Sequence, residues 1–142
     1  MHKQTLALLL SLFLILGSGC MRESRRATST DVQIDLSAVP FPAVVGETRL
    51  VIRVLDRNDQ PVDDAALAVR GDMTHAGMRP VLAQVQGGGV EGYYDVPFEW
   101  TMSGDWIVTV EATLADGTAA QRRFDLSILT ADEAACTVDD PE

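Results

Sequence analysis

From Asp31 onward the chain repeats one pattern: short runs in which apolar and polar positions alternate, broken by turn residues. Val32-Gln33-Ile34-Asp35-Leu36 alternates with period two, as a half-buried strand does, and Pro40, Pro42 and Gly46 break it. Leu50–Leu55 follows, with Leu50, Ile52 and Val54 on one face. Asp56–Pro61 reads as a turn, because Asn and Asp tolerate tight conformations and Pro fixes φ. Ala66–Arg70 and Pro80–Gln86 are a third and fourth strand, the latter ended by Gly87-Gly88-Gly89. Gly92–Phe98 is a fifth, and its Pro97 suits a sheet edge better than a central rung. Ser103-Gly104-Asp105 turns into Trp106–Ala112, whose Trp106, Val108 and Val110 share a face. Asp116-Gly117, a hairpin signal, leads into Arg123–Leu129, with Phe124, Leu126 and Ile128 inward. Seven strands without helical periodicity predict an all-β domain, an immunoglobulin-like β-sandwich of about seven antiparallel strands over residues 31–130.

The ends of the chain follow other rules. Residues 1–19 carry a basic start, an apolar run over Thr5–Leu16 and small residues before Cys20, which defines a secretory signal peptide. The run is short of the roughly 20 residues that a spanning helix needs. Small residues directly before a Cys are similar to the bacterial lipobox, although Gly17 stands where an aliphatic residue is usual. Cys20 is therefore expected to be lipidated and to become the mature N-terminus, with residues 20–30 as a flexible polar tether. This predicts a lipoprotein anchored in the membrane of the cell envelope and facing the periplasm. Residues 131–142 are acidic and are expected to be a disordered tail.

Without the leader the chain keeps 10 Arg, no Lys and 21 acids, a formal charge of −11. The charge argues against nucleic acid as a partner, since its phosphates would be repelled. Cys20 and Cys136 lie at the two ends and do not form a stapling pair by default.

Candidate chemistry concentrates in Gly71–Met78. The chain has 5 Met and 2 His, and beyond Met21 these reduce to Met73, His75, Met78 and Met102. Thioether plus imidazole is a soft donor set that suits Cu(I), whereas one His outside the leader is poor provision for zinc. Met73 and His75, two apart, would leave the same face of an extended strand, and Gly77 would let the chain bend Met78 back towards them. The competing reading makes Met73 and Met78 fillers of core gaps and His75 a loop residue. Met102 is open to both roles, as a fourth ligand or as packing beside Trp100 and Trp106, which are themselves expected to be core or edge aromatics. No phosphate cradle, nucleophile elbow or Ser/His/Asp set is present, so no enzyme activity is expected. Cys136 lacks the basic neighbour that would activate it.

Two landmarks carry a family likeness. Asp72-Met73-Thr74-His75-Ala76-Gly77-Met78-Arg79-Pro80 contains Met-x-His-x-x-Met, and Met102-Ser103-Gly104-Asp105-Trp106 follows about 25 residues on. With Pro61-Val62, Ala66–Val69 and Gly92-Tyr93-Tyr94, they resemble the YtkA-like domain, related to FixH-type proteins, over roughly residues 31–129. The resemblance implies an immunoglobulin-like sandwich outside the cytoplasm and a role in copper handling, often in supplying cytochrome oxidases. It puts Met73, His75 and Met78 on a copper-binding motif and Met102 on the second landmark. FixH-type members carry a membrane-spanning N-terminal helix, which a short leader ending in Cys20 replaces here. The resulting expectation is a copper carrier or metallochaperone. It would pass copper to an envelope protein such as a cytochrome oxidase subunit. The other class of function left open is a metal-free structural or interaction module of an envelope assembly.

Overall fold

The computed structural model describes residues 31–138. The expected signal peptide, the lipidation at Cys20 and the tether lie outside the described residues, as does the end of the tail.

Strand β1 (Gln33–Val39) turns Gln33, Asp35 and Ser37 outward and buries Ile34 and Ala38. It pairs antiparallel with β2 (Gly46–Leu55), which sets Thr48, Leu50, Ile52 and Val54 inward. The same alternation governs β5 (Tyr93–Trp100), where Tyr94, Val96, Phe98 and Trp100 are buried. This first sheet has the order β1-β2-β5. As β5 pairs only with β2, the missing N–H of Pro97 breaks no central ladder.

The second sheet has the order β4-β3-β6-β7. Its central strands are β3 (Ala66–Met73) and β6 (Gly104–Thr113); β4 (Val81–Gln86) and β7 (Ala119–Ile128) are its edges. Leu67, Val69, Trp106, Val108, Val110 and Ala112 face the first sheet and close one core with it. The architecture is the expected sandwich of seven antiparallel strands. Tyr94 fastens the β2–β3 connection: its hydroxyl donates to the Val62 carbonyl at 2.7 Å and accepts from the Ala65 amide at 2.9 Å. Its neighbour Tyr93 is exposed, as alternation along the strand requires.

Two expectations are corrected. The tail is not irregular throughout, because Ala131–Val138 forms a helix, α1. Thr130 caps it: its hydroxyl oxygen accepts from the Glu133 amide at 3.3 Å, and the Glu133 carboxylate accepts from the Thr130 amide at 2.7 Å. That is a reciprocal capping box, and its backbone contacts hold the Glu133 carboxyl below the usual range. The last strand also begins four residues earlier than its apolar pattern, at Ala119, because Ala119 and Ala120 pair with Thr113 and Ala112 across the hairpin.

The register assigns each loop to a pole. Val39 pairs with Arg49, Gly46 with Trp100, Met73 with Trp106 and Gly104 with Ile128. The β1–β2, β3–β4 and β5–β6 connections and the exit of β7 therefore share one end, and a bridge from Val44 to Leu129 ties the two sheets there. The chain enters β1 from the opposite end.

Candidate metal centre

Met73, His75, Met78 and Met102 all lie at the pole where β3 ends and β6 begins. Met73 is the last residue of β3 and sits in the core at 8% exposure, opposite Trp106. Two glycines make room for this corner. A Cβ on Gly71 would come within 2.7 Å of Phe98 Cζ, and one on Gly104 within 3.1 Å of Met73 Cε. Gly104 also holds φ at +118°, a conformation that other residues adopt only under strain. The Met73 methyl group thus reaches the turn that carries Met102.

Beneath the corner Trp106 and Trp100 meet edge to face at 5.3 Å, and Phe98 extends the cluster from Trp100 at 4.8 Å. Trp106 Nε1 donates to the Met102 carbonyl at 3.0 Å. The Met102 backbone is therefore fixed to the aromatic floor, while its side chain stands 46% exposed. Both tryptophans are core residues, as expected.

The expected common face of Met73 and His75 is not formed. Strand β3 ends at Met73, and Thr74-His75 bends away, so alternation no longer operates and His75 is exposed. The Thr74 amide donates to the Asp105 carbonyl at 3.1 Å, where the chain leaves β3 for the loop over residues 75–80. Gly77 takes the left-handed φ of +85° that the bend was expected to need, and Met78 follows at 40% exposure. One methionine is thus buried and two are exposed, and the exposed His75 shares its loop with Met78.

Carboxylates do not complete a harder site. Arg70 grips Asp72 through two contacts of 2.7 Å, which holds that carboxyl below its usual range. Asp105 accepts from the Ser127 hydroxyl at 2.7 Å. Among the described residues no three His, Cys, Asp or Glu side chains come together as metal ligands. The thioethers and His75 are donors that fit a soft cation. A groove of about 680 Å³ between Val39, Thr48, Val81, Leu82 and Phe98 opens nearby without bringing in another set of such donors.

The pole is also where the surface is most apolar. Of the eight large hydrophobic side chains exposed among the described residues, six (Val39, Phe41, Val45, Met78, Leu82 and Met102) lie at or beside it. Alternation along strands did not reveal this clustering, because Phe41 and Val45 belong to a loop.

Fold and pole together define a small β-sandwich domain with a sulfur-rich end. The YtkA-like family pattern matches residues 26–111, and the chain belongs to that family. Among curated protein sequences none matches this chain. Among solved structures it is similar to the superoxide reductase (neelaredoxin) from Ignicoccus hospitalis, with 10% identity and a TM-score of 0.50 over 68% of this chain and 80% of that one. A variant of the same protein superposes with a TM-score of 0.52 at 8% identity, over 70% and 82% of the two chains. At such identities the likeness is one of fold.

Proposed function

We propose that the protein is a lipid-anchored, periplasm-facing carrier of copper, as Cu(I), in the cell envelope. The observation that carries this reading is the gathering of Met73, His75, Met78 and Met102 at one pole, with every methionine beyond Met21 among them. Thioethers are neutral and bind a soft cation without releasing protons. Bound copper would supply no reaction here; it is the cargo. Met78 and His75 sit on an exposed loop, where a recipient's ligands reach them and displace them one at a time. The recipient would be a copper-accepting envelope protein such as a cytochrome oxidase subunit.

Superoxide reduction is not carried over from the structural neighbours. The likeness is at 8–10% identity, and among the described residues no cluster of three His, Cys, Asp or Glu is available to hold a metal. A second reading, an interaction module without metal, is favoured by the burial of Met73 and by the apolar rim around Phe41. Anaerobic titration of the full chain with Cu(I) against a competing chelator separates the two. The carrier binds one equivalent, and His75→Ala and Met78→Leu each weaken it by at least about tenfold. Absence of binding, or binding indifferent to both substitutions, leaves the module.

A further inference from the structure

We propose that the sulfur-rich pole is a methionine-oxidation site, at which peroxide converts Met78 and Met102 to sulfoxides and so closes the pole to soft metal ions. The closure rests on the copper reading above; the order of oxidation does not.

Placement makes the modification selective. Beyond Met21 the chain has only Met73, Met78 and Met102, and all three lie at this pole, so thioether oxidation in the domain acts nowhere else. Exposure then ranks them. Met102 and Met78 stand 46% and 40% exposed, whereas Met73 is at 8%, its methyl group against Gly104 and its strand opposite Trp106. An oxidant in solution reaches the first two sulfurs directly. It reaches Met73 only when the corner opens, and a sulfoxide there would bury a polar oxygen in the core.

The chemistry balances with hydrogen peroxide alone. A lone pair of the thioether sulfur attacks one peroxide oxygen, the S–O bond forms and the O–O bond breaks, and the departing hydroxide takes the proton from the sulfur-bound oxygen and leaves as water. Sulfur loses two electrons and peroxide gains them. The product is polar and presents oxygen to a cation, so two soft donors become hard ones while Met73 and His75 remain. Methionine sulfoxide reductases, drawing on a thiol reductant, return each sulfur to the thioether.

The test uses the full chain carrying Cys136→Ser, because Cys136 is exposed and would consume oxidant. The metal-free protein is treated with hydrogen peroxide, the peroxide is removed, and peptide mass spectrometry follows each methionine. Emission from the buried Trp100 and Trp106 reports that the fold persists. Met78 and Met102 should oxidise at least about tenfold faster than Met73. Cu(I) affinity should then fall by at least about tenfold and return after reductase treatment. Equal oxidation of Met73 in the folded chain, or Cu(I) binding that survives conversion of both exposed methionines, overturns the proposal. A chain that binds no Cu(I) before peroxide is added overturns the carrier reading and the closure with it. That failure is distinguishable because the order of oxidation is read independently.

Discussion

Replacing Met73 by Leu and by Ala separates what its bulk does from what its sulfur does. Met73 is 8% exposed, lies across from Trp106 and reaches the Gly104 turn, so truncation leaves a cavity at the end of the core. Met→Ala substitutions in cores cost about 2–5 kcal/mol, and a site at a strand end that keeps some exposure belongs at the low side, about 2–3 kcal/mol. For a domain of this size that corresponds to a fall in Tm of roughly 8–20 °C. Met73→Leu nearly conserves volume and should cost less than about 1.5 kcal/mol. Urea unfolding followed by the emission of the buried tryptophans measures both. Cu(I) competition on the folded variants then reads the sulfur: Met73→Leu keeps the fold and weakens binding if the buried thioether ligates. A Met73→Ala chain within about 0.5 kcal/mol of the parent would refute the packing argument. Unchanged copper affinity in Met73→Leu would remove Met73 from the ligand set and leave His75, Met78 and Met102.

Three further outcomes follow from neighbouring contacts. Gly71→Ala places a methyl group 2.7 Å from Phe98 Cζ and should destabilise by about 1–3 kcal/mol through overpacking, measured by urea unfolding. Tyr94→Phe leaves the Ala65 amide and the Val62 carbonyl without their partner, at a cost of about 1–3 kcal/mol in the same assay. Burial also raises the Tyr94 hydroxyl above the ordinary tyrosine range, so its contribution is present below that range and is lost as pH rises through the raised value. The stability of Tyr94→Phe should accordingly fall less steeply in alkali. Glu133, lowered by its contacts with Thr130, contributes above the ordinary carboxylate range and loses that contribution as pH falls through its lowered value. Amide protection across Ala131–Val138, taken relative to the intrinsic exchange rate at each pH, should therefore fall in acid, and Thr130→Ala should mimic that loss at neutral pH.

Where alternation was strong, strands were legible. Trp106, Val108 and Val110 announced the buried face of β6, and Pro97 announced an edge strand, both realised in the fold. Ala119–Arg122 carries no such pattern, and its strand character comes from pairing with β6, which no local signal reports. The helix after Thr130 was obscured by acidic composition, although Thr130 and Glu133 already had the spacing of a capping box. At the pole, residue types and the Gly77 bend could be read from the segment itself. The separate fates of Met73 and His75 could not, because they depend on β3 ending where β6 begins. That register is set by residues more than 30 positions away in the chain.

X-ray absorption at the copper edge of the full chain loaded with one equivalent of Cu(I) addresses soft-metal binding at this pole most directly. Sulfur scatterers together with a single imidazole are predicted, and the imidazole signal should vanish in His75→Ala while sulfur persists. A shell of oxygen and nitrogen alone, or a spectrum that His75→Ala and Met78→Leu leave unchanged, would contradict it.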